Sequence, residues 1–436
     1  MKKIVSVLSV AALTFSVAFA ADVSIRYRTR GTVYSEKTDK VNDATTTQTV
    51  EFLNQSGYAS PKGDLKIKAT SDLAGIVIAL QPNAADGSIA VDEFYGFMNF
   101  ANLQITTGKW TSRYVNRVTT DAGKWEGKDY EVYKPGILPG IFQSGVGYSQ
   151  LGYGKDVDNL TLNLSDKQEL STSLAYTIRP NDNSYFMVKG LLVDGDWGRA
   201  YVADKESEDI IFKSGFAGEI AYKSNNLIDF NACFKSLSRE KFAAGVFVRP
   251  LMLGDKNLMV GFTWAQDLKS LDAKKNGVAD YKHTAYEYGI DLRFRMPINE
   301  SLALTTMNNL SSATIARVDS DAVDRDYSAW KLWDMVSVAY KASEKLTLQL
   351  TVESETGWGV GKNYDNNGNK EDCNFAEYGG FTLSVIPGVV YNFNSNASLT
   401  AGVRIKQAGV FATNSYKENS TVQSEIAIPF VFNVAL

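Results

Sequence analysis

The chain contains few of the residues from which catalytic and metal sites are usually built. Its 436 residues include one histidine, His283, and two cysteines, Cys233 and Cys373. Histidine-based triads and His-rich metal sites need more such side chains. Two cysteines also exclude a disulfide-dense scaffold, and we expect free thiols because Cys233 lies in a strand pattern and Cys373 in a polar loop. The sequence therefore predicts no enzyme activity, no cofactor and no metal.

A strong excess of either charge is also absent. The chain has 45 Lys and Arg against 49 Asp and Glu, which gives a formal net charge of −4. This is too close to neutral to indicate a nucleic-acid partner. The stretch DNNGNKED (365–372) has its glycine at the wrong step for an EF-hand, and GVGYSQLGYG (145–154) lacks the Lys-Ser/Thr pair of a phosphate loop. We interpret both as loop sequences.

Long hydrophobic runs are confined to the first twenty residues. Lys2 and Lys3 precede an apolar run that ends in the small-residue site Ala18-Phe19-Ala20. This pattern predicts a signal peptide over 1–20 and export from the cytoplasm. After Ala20, no apolar run is long enough to cross a bilayer as a helix. The composition, with 22 Tyr, 22 Phe, 34 Gly and only 9 Pro, is typical of a long all-β protein.

Large apolar residues instead recur at every second position. The segment SEIAIPFVFNVAL (424–436) shows this, and the pattern returns around 23–28, 286–296, 346–353, 381–393 and 399–406. A period of two predicts strands whose alternate side chains face opposite ways. The other face carries mid-strand charges such as Arg293 and Arg404, and burying these unpaired would cost several kcal/mol each. We therefore predict that lipid contacts the apolar face, whereas the alternative of two stacked sandwich domains would need a true internal core.

Short turns and long polar stretches alternate along the chain. Turn signals lie at 71–75, 223–226, 297–301, 342–345 and 394–397, and longer polar stretches lie at 35–49, 268–280, 311–326, 360–376 and 412–421. In hydrocarbon an unpaired backbone amide has no partner, so a spanning sheet must close on itself. The sequence predicts one domain over 21–436. This domain is an all-β, closed antiparallel transmembrane β-barrel of roughly 16 to 20 strands, with about 18 as the best estimate, short periplasmic turns and long external loops.

Two motifs carry a resemblance to a known family. The stretch EFYGFMNFANLQITTGKWTSRY (93–114) resembles the paired strands of the general porin family before their constriction loop, with Thr107-Gly108-Lys109 in place of Leu/Tyr-Gly-Arg. The SDLAG turn resembles the early hairpin of that family. The resemblance implies that 110–141 folds into the lumen as a constriction loop. The chain departs from the family in ending on Leu436 instead of an aromatic residue, and in a length that suits an 18-stranded, substrate-selective channel.

Charged residues on the inner parity are the candidate pore lining. A predicted basic wall consists of Arg26, Arg28, Arg30, Lys66, Lys68, Arg404 and Lys406. Further candidates are Lys109, which would need a bulge to point inward, and Arg293 and Arg295. The constriction loop would present the acidic residues Asp121, Glu126, Asp129 and Glu131 among several basic ones. By resemblance, loop and wall set up a transverse field that favours anions; the alternative, that these charges are merely solvated, stays open.

These features together predict an outer-membrane porin. Such a protein forms a water-filled channel for passive diffusion of small hydrophilic solutes and ions. Its expected partners are outer-membrane lipid, the barrel-assembly machinery and, by resemblance, further copies of itself in a homotrimer. The main alternative is a surface-exposed structural or adhesin barrel with a blocked lumen. A carrier for apolar compounds would need an N-terminal plug, and the arginines that directly follow the signal argue against one.

Overall fold

The fold was analysed in a computed structural model. The structure describes residues 20–54, 62–82, 87–109, 170–194, 201–203, 210–212, 214–236, 241–253, 257–267, 282–318, 327–364, 370–373 and 379–436. The predicted signal segment, the predicted constriction loop 110–141 and its acidic residues therefore lie outside the described residues.

Strands make up most of the described chain. They are β1 (Ala20–Val41), β2 (Ala44–Asn54), β3 (Lys62–Thr70), β4 (Ala74–Pro82), β5 (Ile89–Phe100), β6 (Leu103–Lys109), β7 (Leu170–Asn181), β8 (Ser184–Asp194), β9 (Tyr201–Ala203), β10 (Ile210–Phe212), β11 (Ser214–Ser224), β12 (Ile228–Ser236), β13 (Lys241–Pro250), β14 (Asn257–Asp267), β15 (Lys282–Pro297), β16 (Leu302–Val318), β17 (Tyr327–Lys341), β18 (Leu346–Tyr364), β19 (Lys370–Cys373), β20 (Phe381–Asn394), β21 (Ala397–Gly402), β22 (Arg404–Val410) and β23 (Val422–Ala435). A 3-10 turn (Leu251–Leu253) and a short helix, α1 (Asn414–Asn419), complete the described elements. None of the described helices has the length and apolar character needed to cross a membrane.

The strands form one 21-stranded antiparallel sheet and a separate β9–β10 hairpin. Each strand of the large sheet pairs with at least one of its neighbours in sequence, and β6 pairs directly with β7 although 110–169 separate them along the chain. The last strand, β23, pairs with β1 from Arg26 opposite Ala435 to Lys40 opposite Val422. The antiparallel pairings, including that of β23 with β1, confirm the all-β fold class. The closed transmembrane barrel stays a prediction.

Several positions in this ring are shared by two successive strands. Both β2 and β3 pair with β1, and both β21 and β22 lie between β20 and β23. The number of strands depends on how these interrupted strands are grouped. The estimate of roughly 16 to 20 strands, with about 18 as the best value, stays a prediction.

The predicted short turns are confirmed, and side chains explain why they form there. The turns connect β3 to β4, β11 to β12, β15 to β16, β17 to β18, and β20 to β21. In the β15–β16 turn, Oδ1 of Asn299 accepts hydrogen bonds from the backbone N–H groups of Ser301 and Leu302. In the β17–β18 turn, Oγ of Ser343 accepts from the backbone N–H of Leu346. Such local bonds replace the ladder bonds that a reversing chain loses.

Three of the predicted long loops are wrong in extent. Residues 35–49 belong to a long hairpin, because β1 continues to Val41 and β2 begins at Ala44, with Asn42 and Asp43 at positive φ in the turn. Asn and Asp tolerate this conformation, and the run of threonines in β2 favours a strand. Similarly, β16 extends to Val318 and β18 to Tyr364. The stretch 412–421 contains α1. Polarity marked the end of the apolar alternation but not the end of strand pairing.

The two faces of the strands have inverted polarity. On β23, Glu425 is 8% exposed and Ala427 4%, while Ile426 between them is 49% exposed. On β4, Val77 is buried and Ile76 is exposed. We call the shielded face the inner face and the other the outer face. The prediction that the large apolar face is not packed into the chain's own core is confirmed.

Candidate functional site: the charged inner wall

A row of polar and charged residues crosses the inner face at one register level. Lys37 on β1 lies opposite Glu425 on β23, which lies opposite Lys406 on β22. The row continues to Ser384 on β20 and Glu353 on β18. We call these five residues the inner charge row. Positive and negative side chains follow each other along its β1–β22 part, so each charge has a compensating neighbour on the next strand.

One ion pair near this level joins residues that lie diagonally across the β22–β23 pair. Arg404 lies directly opposite the small residue Ala427, and its guanidinium reaches the carboxylate of Glu425, with Nη2 2.6 Å from Oε2. Both side chains are nearly buried. Long side chains can span this diagonal between paired strands, and charge-assisted bonds of this length are strong. The pair therefore fixes the position of the Arg404 guanidinium on the inner face.

Glu353 ends the row in a different environment. Its side chain lies on the inner face with only 6% of the residue exposed, and its Oε1 atom accepts no hydrogen bond from the residues that the structure describes. Ser384, also buried, separates it from Lys406 in register. Glu353 therefore adds a buried acidic side chain to the wall on which the sequence predicted only Arg404 and Lys406.

The basic residues near the start of the chain also have acidic or amide neighbours. Nε of Arg26 donates to Oδ1 of Asn433 at 2.9 Å. Nζ of Lys66 lies 2.6 Å from Oε2 of Glu93, two strands away, because the residue between them on β4 is the small Ala79. β1 lies between β23 and β3, so these basic residues lie on neighbouring strands. The β22–β23 pair, however, lies level with Ser35 of β1, nine residues along the strand from Arg26, and the common basic wall stays a prediction.

The remaining members of the predicted wall have the following positions. Arg28 and Arg30 share the parity of Arg26 and lie opposite Asn433 and Val431 in register. Lys68 is exposed and lies opposite Asp22. Lys37, which the sequence analysis did not select, is also exposed on the inner face.

The further candidates differ in their register. The pairing of β6 with β5 and β7 runs from Leu103 to Lys109 without a shift. Lys109 lies opposite Phe94 and Leu170 in this unshifted register, and its place in the pore lining stays a prediction. Arg293 lies opposite Met307, a buried inner-face residue, and Arg295 lies two positions further on the same face.

A second set of ion pairs lies on the inner face of β8 to β13. Nη2 of Arg249 is 2.8 Å from Oδ2 of Asp229, directly across the β12–β13 pair, and both side chains are nearly buried. Nζ of Lys189 lies 3.9 Å from Oε2 of Glu219, whose Oε1 accepts from Nδ2 of the buried Asn231. These residues were not among the candidates predicted from the sequence. They alternate with apolar residues of the outer face, so extending the period-two count to β8, β11, β12 and β13 would have found them.

The chemistry of the wall is ionic. Among the described residues, no group of three or more His, Cys, Asp or Glu side chains could hold a metal ion. His283 is the second residue of β15 and lies opposite Arg317 in register. Paired charges on a shielded face can order water and exclude apolar solutes, which is the property expected of a polar conduit.

Comparison with known proteins gives only structural matches. No family model matches the chain, and no curated protein matches it. A solved structure of OmpT, an outer membrane protein of Vibrio cholerae, in its trimer form has 14% identity and a TM-score of 0.43, covering 96% of this chain and 100% of that one. The outer membrane channel DcaP of Acinetobacter baumannii has 9% identity and a TM-score of 0.45, with 96% and 98% covered. The anion-selective porin from Comamonas acidovorans has 12% identity and a TM-score of 0.43, with 96% and 100% covered.

Proposed function

We propose that the chain is an outer-membrane porin: a water-filled channel for the passive diffusion of small hydrophilic solutes and ions. The observation that carries this proposal is the inverted polarity of a ring of paired strands, with exposed aliphatic side chains outside and ion pairs such as Arg404–Glu425 inside. Hydrocarbon outside and water inside are the two solvents that stabilise this arrangement.

The proposal includes a moderate preference for anions. The exposed Lys37 and Lys68 add positive charge to the inner face, on the same wall as Arg26, Arg28 and Arg30. Glu425 and Glu93 compensate Arg404 and Lys66. We therefore expect a selectivity weaker than an uncompensated basic wall would give.

The biological setting belongs to the same proposal. It includes export by the predicted signal, insertion by the barrel-assembly machinery, contact with outer-membrane lipid and, by the resemblance to general porins, assembly as a homotrimer. No enzymatic role is proposed, because the inner wall offers ion pairs in place of an activated nucleophile.

The test is electrical. Purified protein added to a planar lipid bilayer should produce stepwise increases in conductance, and a salt gradient across the bilayer should give a reversal potential of the sign expected for anions. Absence of steps from protein that is folded and inserted would reject the channel and favour the adhesin barrel with a blocked lumen.

A further inference from the structure

The outer face of three adjacent strands carries a polar group in the middle of an apolar surface. Asn308 on β16, Asp334 on β17 and Ser354 on β18 lie opposite one another in register. Nδ2 of Asn308 donates to Oδ1 of Asp334 at 2.7 Å. We call these three residues the outer polar patch.

The parity of β17 places Asp334 on the outer face. Met335 and Ser337 are buried on the inner face, whereas Val336 is 44% exposed and Tyr340 is 49% exposed on the outer one. The register of β17 with β16 and β18 shows no shift over this stretch. Asp334 therefore shares its face with Val336 and Tyr340.

The patch also lies far from both edges of the apolar surface. Asp334 is three outward-facing positions from Tyr340, the exposed aromatic residue next to the β17–β18 turn. At the usual rise and tilt of barrel strands, this places it about 15 Å above Tyr340, near the middle of an apolar band of about 25 Å. Elsewhere among the described residues, charged side chains of the outer face lie near strand ends, as Glu36 does on β1, where Tyr34 and Gln48 donate to its carboxylate.

Lipid acyl chains cannot satisfy the hydrogen-bonding groups of the outer polar patch. Acyl chains offer no hydrogen bonds, and an aspartate side chain is too short to reach the headgroups from the middle of the band. Ionisable groups at this depth usually face protein or water. Something more polar than lipid must therefore cover the outer face of β16–β18 when the chain is in a membrane.

The chemistry of the patch favours another patch of the same kind. Asn308 and Ser354 carry N–H and O–H donors, and Asp334 carries acceptors, so the group is self-complementary. Copies of one chain enter a membrane in the same orientation, and a contact between them therefore brings equal depths together. In the part of the chain that the structure describes, no lysine or arginine side chain lies on the outer face at this depth to offer a different counterpart.

We propose that Asn308, Asp334 and Ser354 form a contact surface for a second copy of this chain within the membrane. The inference rests on the membrane location in the proposed function. At the three-fold axis of the proposed homotrimer, Asn308 and Ser354 of one copy donate to Asp334 of the next, and the surrounding aliphatic residues pack around these bonds and exclude lipid.

The first experiment changes Asp334 and measures the oligomeric state in mild detergent by light scattering. The wild type should be an oligomer and Asp334→Leu a monomer, while Asp334→Asn, which keeps the shape and hydrogen bonding, should retain the oligomer. The matched control is Leu174→Ala, on the outer face of β7 in another part of the ring, which should stay oligomeric. If the face contacts lipid instead, Asp334→Leu should leave the oligomeric state unchanged and stabilise the protein against unfolding, because it removes a charge from hydrocarbon.

The second experiment uses cross-linking in the membrane. In a background with Cys233→Ser and Cys373→Ser, oxidation of Ser354→Cys should give a covalent dimer, and oxidation of Leu174→Cys should not. A wild-type monomer, equal cross-linking at both positions, or a product with a different protein would overturn the proposal. Conductance steps from the Asp334→Leu monomer would show that the channel function does not depend on this contact. If the wild-type oligomer gave no conductance steps, the channel function would be rejected and the contact surface would stand.

Discussion

The guanidinium of Arg404 lies 2.6 Å from the carboxylate of Glu425, on the neighbouring strand and one diagonal step away in register. This relationship changes the expected electrostatics of the wall. Arg404 is paired with Glu425, an acidic residue of β23. From the sequence, β23 was notable only for its alternating apolar residues. The selectivity of the proposed channel therefore depends on pairs of residues, and neutralising one member of a pair should expose the effect of the other member's charge on selectivity.

Breaking this pair should shift selectivity in opposite directions. Glu425→Gln leaves Arg404 uncompensated and should increase anion preference, whereas Arg404→Gln leaves Glu425 and should decrease it. Each single variant should lose about 3 kcal/mol of unfolding free energy, because removing one partner leaves a nearly buried charge. Reversal potentials and denaturant unfolding in lipid vesicles measure the two effects.

The double variant Arg404→Gln/Glu425→Gln is the control for that prediction. It removes both charges and should restore a reversal potential and a stability closer to those of the wild type. If the two single variants had additive effects on stability in the double variant, the residues would not act as a pair.

Lys66 and Glu93 form a more open pair, which makes selectivity the better measurement. Lys66 is 43% exposed, so we expect little change in stability on losing its partner. Glu93→Gln should raise anion preference and Lys66→Gln should lower it, and high salt should reduce both effects by screening. Reversal potentials at low and high salt measure this. Effects that do not depend on salt would argue against an electrostatic origin.

Neutralising the arginines of the first strand tests the main part of the wall. Arg26→Gln/Arg28→Gln/Arg30→Gln should reduce anion preference, because cations on a pore wall raise the local concentration of anions. Reversal potentials in a salt gradient measure the change.

A control with the same loss of charge is available near the short turns. Lys223→Gln/Lys341→Gln/Lys345→Gln removes three positive charges at the ends of β11 and β17 and in the β17–β18 turn. It should change selectivity less than the arginine variant. Anion preference that survives intact in the arginine variant would refute the assignment of the first strand to the lumen.

Neighbouring positions on β18 test which face contacts lipid. Leu350 is 49% exposed on the outer face, and Gln349 lies on the inner face. Leu350→Arg should lower the unfolding free energy in vesicles by about 2 kcal/mol, because it places a charge in hydrocarbon. Gln349→Arg should cost less, since the inner face is wet. The reverse order, or protein that stays dissolved without detergent, would contradict a membrane barrel.

Much of the fold could be predicted from local sequence. The alternation in β23, the turn at Asn299 and the turn at Ser343 depend on residues close together in the chain, and all are confirmed. The extent of hairpins was not predictable in the same way. Pairing continued past the apolar part of β1 to Val41, because backbone hydrogen bonds stabilise a hairpin whether or not its side chains contact lipid.

The sequence by itself determined that one face of these strands is apolar and the other ionic, because that property needs only the period of two. The tertiary structure decided which charges meet. A register shift between Thr32 and Tyr34 reverses the parity of β1, so that Lys37 joins the inner face and Glu36 the outer one. Another, between Ala79 and Leu80, aligns Glu93 with Lys66 across Ala79. Only the alignment of β16 with β17 places Asp334 beside Asn308, since one extra residue in a strand moves every later side chain to the opposite face.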